Sequence, residues 1–223
     1  MRSFASVNIL LAFLSFFLFV SPSTSTNCID VSAPVPVEAF RCLKEMSYSC
    51  VIVRMWRSIG EFDQNSVQTV RNARSAGIDN VEGYIFPRFK QPADSARRQV
   101  QKLLEELSDN GVSYGRLWVD VEDKEHWSND PEVNVQFLEE MVDELRQNEQ
   151  DIGFYASKSQ WEPITGGSTQ FSSYPLWYPR YKNPPNPTFA DFEAFGGWSS
   201  PVMKQYAKNV EECGVEVDKN YKP

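Results

Sequence analysis

Short runs of alternating or continuous apolar residues are interleaved along this chain with longer stretches whose apolar positions recur every three to four residues. The first pattern reads as strand and the second as amphipathic helix. Strands are expected at residues 29–32, 50–56, 81–86, 116–123 and 152–156. Helices are expected at 37–46, at 64–76 before Gly77, from Asp94 onward, and after Asp130-Pro131, which offers an N-cap and a first-turn proline. The third helix gathers Ala96, Val100, Leu103, Leu104 and Leu107 on one face, and the fourth gathers Val133, Phe137, Met141 and Leu145. Beyond residue 156 the helical pattern shrinks to 159–164. Strands at 175–178, 202–206 and 215–217 then lie among polar and Pro-rich loops.

Repeated βα alternation implies a parallel sheet, and eight strands allow that sheet to close on itself. The expected fold is α/β: an irregular, TIM-barrel-like single domain of about eight strands, with helices missing or short in the second half. In such barrels the reactive groups collect at the C-terminal ends of the strands. Those ends carry Asp30, Tyr84, Phe86, Asp120, Glu122, Tyr155, Trp177, Gln205, Tyr206 and Asp218, with Arg54 near the end of the second strand.

Within 116–123, Leu117, Val119 and Val121 alternate with Trp118, Asp120 and Glu122, so a strand here sends both carboxylates to one face. Two carboxyls held side by side resist ionising together, and one keeps its proton. A poised acid beside an anion is what glycoside hydrolysis requires. Taken alone, the pair reads as well as an acidic turn. Convergence of further carboxylates and aromatics on the same rim favours chemistry, because flat apolar rings pack on the C–H faces of sugars.

The N-terminus follows a different pattern. Arg2 precedes an unbroken apolar run of 12 residues, 9–20, and small polar residues follow to Thr26. This is the layout of a secretory signal peptide, with an apolar core too short to span a bilayer. Cleavage is expected between Ser23 and Thr26. Residues 1–26 then form the leader and 27–223 a single catalytic domain, free of membrane.

Counts of 22 Lys and Arg against 30 Asp and Glu give a net charge of −8, and −9 once Arg2 is lost. That excludes a basic nucleic-acid footprint and weakens attraction to anionic bacterial surfaces at neutral pH. Four cysteines in an exported chain are expected to form disulfides. Cys28 precedes the first strand and Cys213 the last, and neighbouring strands of a closed barrel start together. The expected pairs are therefore Cys28–Cys213 and, across one helix-to-strand turn, Cys42–Cys50. With no CxxC and one histidine, His126, read as a surface residue, neither a metal nor another cofactor is expected.

Four segments, in order, resemble the family 25 glycoside hydrolases, the Chalaropsis-type lysozymes. They are Cys28-Ile29-Asp30-Val31-Ser32, Gly83-Tyr84-Ile85-Phe86-Pro87, Leu117-Trp118-Val119-Asp120-Val121-Glu122, and Met203-Lys204-Gln205-Tyr206 with 214–221. Trp56-Arg57-Ser58-Ile59-Gly60 and Phe195-Gly196-Gly197-Trp198 are similar to the nematode and amoeba branch, whose members often carry a cysteine where this chain has Arg88.

The resemblance implies a monomeric enzyme acting on bacterial peptidoglycan, outside the cell or in a lysosome-like compartment. It would cleave the β-1,4 bond between N-acetylmuramic acid and N-acetylglucosamine with retention. By motif position, Glu122 is the general acid, Asp120 stabilises the oxocarbenium-like charge or a polarised acetamido group, and Asp30 and Asp218 tune both. Tyr84, Phe86, Tyr155, Trp177, Gln205 and Tyr206 are expected along the sugar cleft, with Arg54 holding a lactyl carboxylate or orienting an acid. The nucleophile is left open between a carboxylate and the substrate's own acetamido group. The rival readings are a catalytically weak peptidoglycan- or chitin-binding protein and a chitinase-like glycosidase.

Overall fold

The structure, a computed structural model, describes residues 25–90 and 94–223. Strand and helix alternate from the start: β1 (Thr26–Val31), α1 (Val37–Glu45), β2 (Tyr48–Arg57), a two-residue β3 (Glu61–Phe62), α2 (Asn65–Ser75), β4 (Asn80–Ile85) and α3 (Ala96–Asp109). They continue with β5 (Leu117–Asp120), α4 (Pro131–Gln147), β6 (Ile152–Tyr155), α5 (Lys158–Thr165), β7 (Leu176–Pro179), β8 (Met203–Glu212) and β9 (Val215–Lys222). Local chemistry sets the helix starts. Ser95 Oγ accepts from the Arg98 amide at 3.2 Å, and Asp130 accepts from the Glu132 amide at 3.0 Å ahead of Pro131. Each such cap contributes about 1 kcal/mol.

Seven strands run parallel in the order β1, β2, β4, β5, β6, β7, β8, and β9 closes the ring by pairing antiparallel with both β8 and β1. The result is the irregular β/α barrel, with β3 appended to β2. Among the described residues no helix follows α5.

Period-2 alternation divides the buried side chains into two sets. Outward positions such as Val51, Val53, Val119 and Phe154 pack under Phe40, Leu43, Leu103 and Leu138 of the helices. Inward positions Cys28, Cys50, Ile52, Trp118, Tyr155, Trp177 and Met203 fill the barrel. Gly153 of β6 leaves room for one of these side chains, because a Cβ there would lie 2.4 Å from the Trp118 indole. Trp118 in turn donates to Glu82 at 2.6 Å, and Lys222 reaches the same carboxylate at 3.0 Å. These three side chains floor the barrel.

Several expectations need correction. The disulfides are Cys28–Cys50 and Cys42–Cys213, not Cys28–Cys213 and Cys42–Cys50. Cys28 lies inside β1, in register with Cys50 of the neighbouring β2, and both side chains face the lumen. Because β9 runs antiparallel, its start is remote from the start of β1. Cys213 instead sits at the tip of the β8–β9 hairpin, where it meets Cys42 of α1. On α4 the buried face is Val135, Leu138, Met141, Val142 and Leu145, whereas Val133 faces solvent. The expected leader, 1–26, lies outside the described residues except for Ser25 and Thr26, and Thr26 already pairs with Lys222 in the sheet.

Candidate active site

The C-terminal ends of the strands enclose a pocket of about 70 Å³ lined by Asp30, Tyr84, Asp120, Glu122, Tyr155, Trp177, Gln205 and Asp218. All eight were expected at the rim. Asp120 is the last residue of β5, and the Val121 amide extends the ladder by donating to the Tyr155 carbonyl at 2.9 Å. Glu122 therefore leaves the strand on the same side as Asp120. Asp123 then turns the chain with φ of 55°, and the Trp127 indole donates to the Glu122 carbonyl at 2.9 Å. This turn and tether fix where the Glu122 carboxyl can reach.

A hydrogen-bond network holds the other acids. Trp177 Nε1 donates to Asn220 Oδ1 at 2.7 Å, and Asn220 Nδ2 donates to Asp30 Oδ1 at 2.7 Å. Gln205 Nε2 donates to Asp30 at 2.8 Å and to Asp218 at 3.1 Å. Gln205 Oε1 accepts from the hydroxyls of Tyr155, at 2.8 Å, and Tyr181. The Asn209 amide donates to Asp218 Oδ1 at 2.7 Å. Asp120 is the exception: its Oδ1 is buried and has no partner among the described residues.

Four carboxyls in one small enclosure cannot all ionise. Burial, then the Asp218 charge and to a lesser extent Glu122, push Asp30 up to about 8 against the bonds from Asn220 and Gln205. Burial, then Glu122 and Asp30, push Asp120 well above the carboxylate range. Glu122 is raised by burial and by Asp123, with Lys208 pulling the other way. Asp218 is raised by burial, opposed by the Asn209 amide. Burial likewise raises the phenols of Tyr84 and Tyr155, so both are neutral donors at physiological pH. Glu122 and Asp218 are the half-buried members of the cluster, whereas Asp30 and Asp120 are buried.

Three expected residues stand apart from the pocket. Tyr206 follows Gln205 on one strand, so the two point to opposite faces; Gln205 takes the lumen and Tyr206 lies near Lys219 and Glu212. Phe86 packs on His126 at the rim, with ring centroids 5.5 Å apart. Arg54 spends its guanidinium on Asp63 at 2.9 Å and on the Ser32 carbonyl at 2.7 Å. Three residues were missed. Asn220 shares a face with Asp218 two positions on, and only a last strand drawn to residue 222 would have exposed it. Tyr181 and Lys208 lie beyond the expected ends of their strands, where no periodicity marks them.

Beyond Glu122 and Tyr155 the pocket opens into a groove of about 620 Å³ along the C-terminal ends of β6, β7 and β8, with Tyr178, Arg180, Tyr181 and Lys208 on its walls. Glu122 stands at the junction of pocket and groove.

A family model described as lysozyme-like protein 1 matches residues 21–206. The chain is 38% identical over 210 residues to probable GH family 25 lysozyme 2 of Dictyostelium discoideum, covering 94% of this chain and 97% of that one. The chain belongs to the family 25 lysozymes. It is 37% identical to lysozyme-like protein 5 of Caenorhabditis elegans, covering 95% of this chain and 98% of that one. Solved structures of a family GH25 lysozyme from Aspergillus fumigatus and of a muramidase from Trichobolus zukalii share the fold, each with a TM-score of 0.71. They are 17% and 18% identical and cover 90% and 89% of this chain, and 94% and 93% of their own. As a family member the chain is a glycoside hydrolase.

Proposed function

We propose that the chain is an exported muramidase that hydrolyses the β-1,4 bond between N-acetylmuramic acid and N-acetylglucosamine in bacterial peptidoglycan, with retention. The observation that carries this reading is the carboxyl of Glu122. Its pKa is raised, and it stands where the carboxyl-lined pocket meets a groove of about 620 Å³. Such a carboxyl can hold its proton until the glycosidic oxygen arrives, then deliver it as the C–O bond breaks. Names of relatives as lysozymes and of structural neighbours as muramidases support the substrate class.

Asp120 supplies the complementary part. Its unpartnered Oδ1 faces the pocket's chemistry, and an N–H from a 2-acetamido group would satisfy it while favouring its ionised form. An ionised Asp120 then stabilises positive charge developing on the sugar ring or on the acetamido group. Asp30 and Asp218, held through Gln205, set how many protons the cluster keeps. Two disulfides suit an oxidising compartment, which fits export or a lysosome-like destination.

The test uses wild type and Glu122→Gln on a suspension of bacterial walls, with mass spectrometry of the products. Wild type should release fragments ending in reducing N-acetylmuramic acid, and the variant should be slower by about 10²- to 10⁴-fold. Equal clearing by both proteins would remove Glu122 from its role. Fragments ending in reducing N-acetylglucosamine would overturn the bond assignment.

A further inference from the structure

Cations along the groove are not equivalent. Lys158 faces Glu193 at 3.7 Å and Lys182 faces Asp191 at 3.5 Å. Arg180 and Lys208 are exposed and have no carboxylate within ion-pair distance among the described residues. Lys208 Nζ lies 5.1 Å from the centroid of the Tyr181 ring, at the mouth of the site. Arg180 directly follows β7, and its amide donates to the Gln205 carbonyl at 2.9 Å, which fixes it beside the catalytic rim. Lys208 is on β8, the neighbouring strand.

In a chain of net charge −8, two exposed cations outside any ion pair stand over the cleft and attract against the sign of the whole molecule, with Lys208 also close enough to Glu122 and Asp218 to feel their charge. A glycan whose lactyl carboxyls are held in amide linkage is neutral and gives them nothing to neutralise. A guanidinium offers a planar fork that matches a carboxylate.

We propose that this groove takes the carboxylate-bearing peptide substituent of the glycan, with Arg180 as the specificity-determining contact and Lys208 as a second cation. The inference rests on reading the chain as a peptidoglycan hydrolase. Stem-peptide carboxylates are covalently tied to the muramic sugar through its lactyl group, so they arrive with the strand that Glu122 cleaves.

Affinity rather than turnover tests this, using the full chain carrying Glu122→Gln so that the strand persists. Labelled glycan strands are titrated in three forms: peptides intact, peptides intact with their carboxyls converted to amides, and peptides removed with the lactyl carboxyls thereby freed converted to amides. The intact form should bind roughly three- to tenfold more tightly than the other two, the range for a partly exposed charge-assisted contact. Adding Arg180→Gln should remove most of the difference, Arg180→Gln with Lys208→Met should bring the three Kd values together, and Arg180→Lys should keep part of the difference. Since Arg180 is exposed, its replacement leaves the packing untouched.

Equal affinities for all three forms, or a preference left undiminished by Arg180→Gln or surviving the double replacement, overturns the proposal. So does tight binding of the amidated form, which would assign the contact to the peptide backbone. Failure of wild type to clear walls counts against the muramidase reading alone, since binding is measured separately.

Discussion

At the scale of single residues, the proton on Glu122 is held by opposing neighbours. Asp123 pushes its pKa up and Lys208 pulls it down, on top of the dominant effect of burial. A general acid works only while protonated, so the alkaline limb of kcat/KM against pH should report this group. Asp123→Asn should move that limb to lower pH and Lys208→Met should move it to higher pH. Asparagine tolerates the left-handed φ of 55° at 123, so the first change alters charge more than backbone. Limbs that coincide with wild type in both variants would show that another group sets the profile. Most of the pocket was legible in sequence because strand alternation and the C-terminal-rim rule together select Asp30, Tyr84, Asp120, Tyr155, Trp177 and Gln205. Tyr206 shows where strand ends alone mislead, since adjacent residues cannot share a face. Arg54 shows another limit: its partner Asp63 sits after β3, an element too short to leave a pattern.

Among the elements, the connection between β7 and β8 has no periodicity, yet it carries Arg180 and Tyr181 to the site. A buried ion pair pins it. Lys204 of β8 is fully enclosed and its Nζ contacts Asp191 Oδ1 at 2.6 Å and the Thr188 carbonyl at 2.9 Å. Removing one partner from such a pair leaves an uncompensated charge and costs about 3–5 kcal/mol, whereas apolar replacement of both is often neutral. Lys204→Met should therefore lower stability by that amount in denaturant titrations, and Lys204→Met with Asp191→Leu should recover most of it. Additive losses in the double variant would mean the two side chains act independently. The anchor was not legible because a lysine beside Gln205 in sequence looks like an ordinary solvated position. Hairpin β8–β9 was hidden for a related reason. Its distal part alternates polar with apolar residues too weakly to extend the strands past 206, so the antiparallel return of β9 and the Cys42–Cys213 link both escaped notice.

For the molecule as a whole, enclosing carboxyls in the barrel makes folding respond to pH. Asp30 has its pKa raised from 3.8 to about 8, so the folded state holds a proton that the unfolded chain releases. This group's contribution is fully present below 3.8 and is lost as pH rises through about 8. Asp30→Asn keeps an acceptor for Gln205 and Asn220 but cannot ionise. Its melting temperature relative to wild type should climb between pH 5 and pH 8.5, and a difference independent of pH would refute the linkage. Closure of the barrel was readable from the count of strands, but the reversed direction of the last one was not. That reversal carries a practical consequence. Because β9 runs back down beside β1, Thr26 and Lys222 lie opposite each other at the floor, while the cleft opens at the other end. A chain tethered to a bead or a partner domain through either of these positions presents its cleft outward, toward whatever surface approaches.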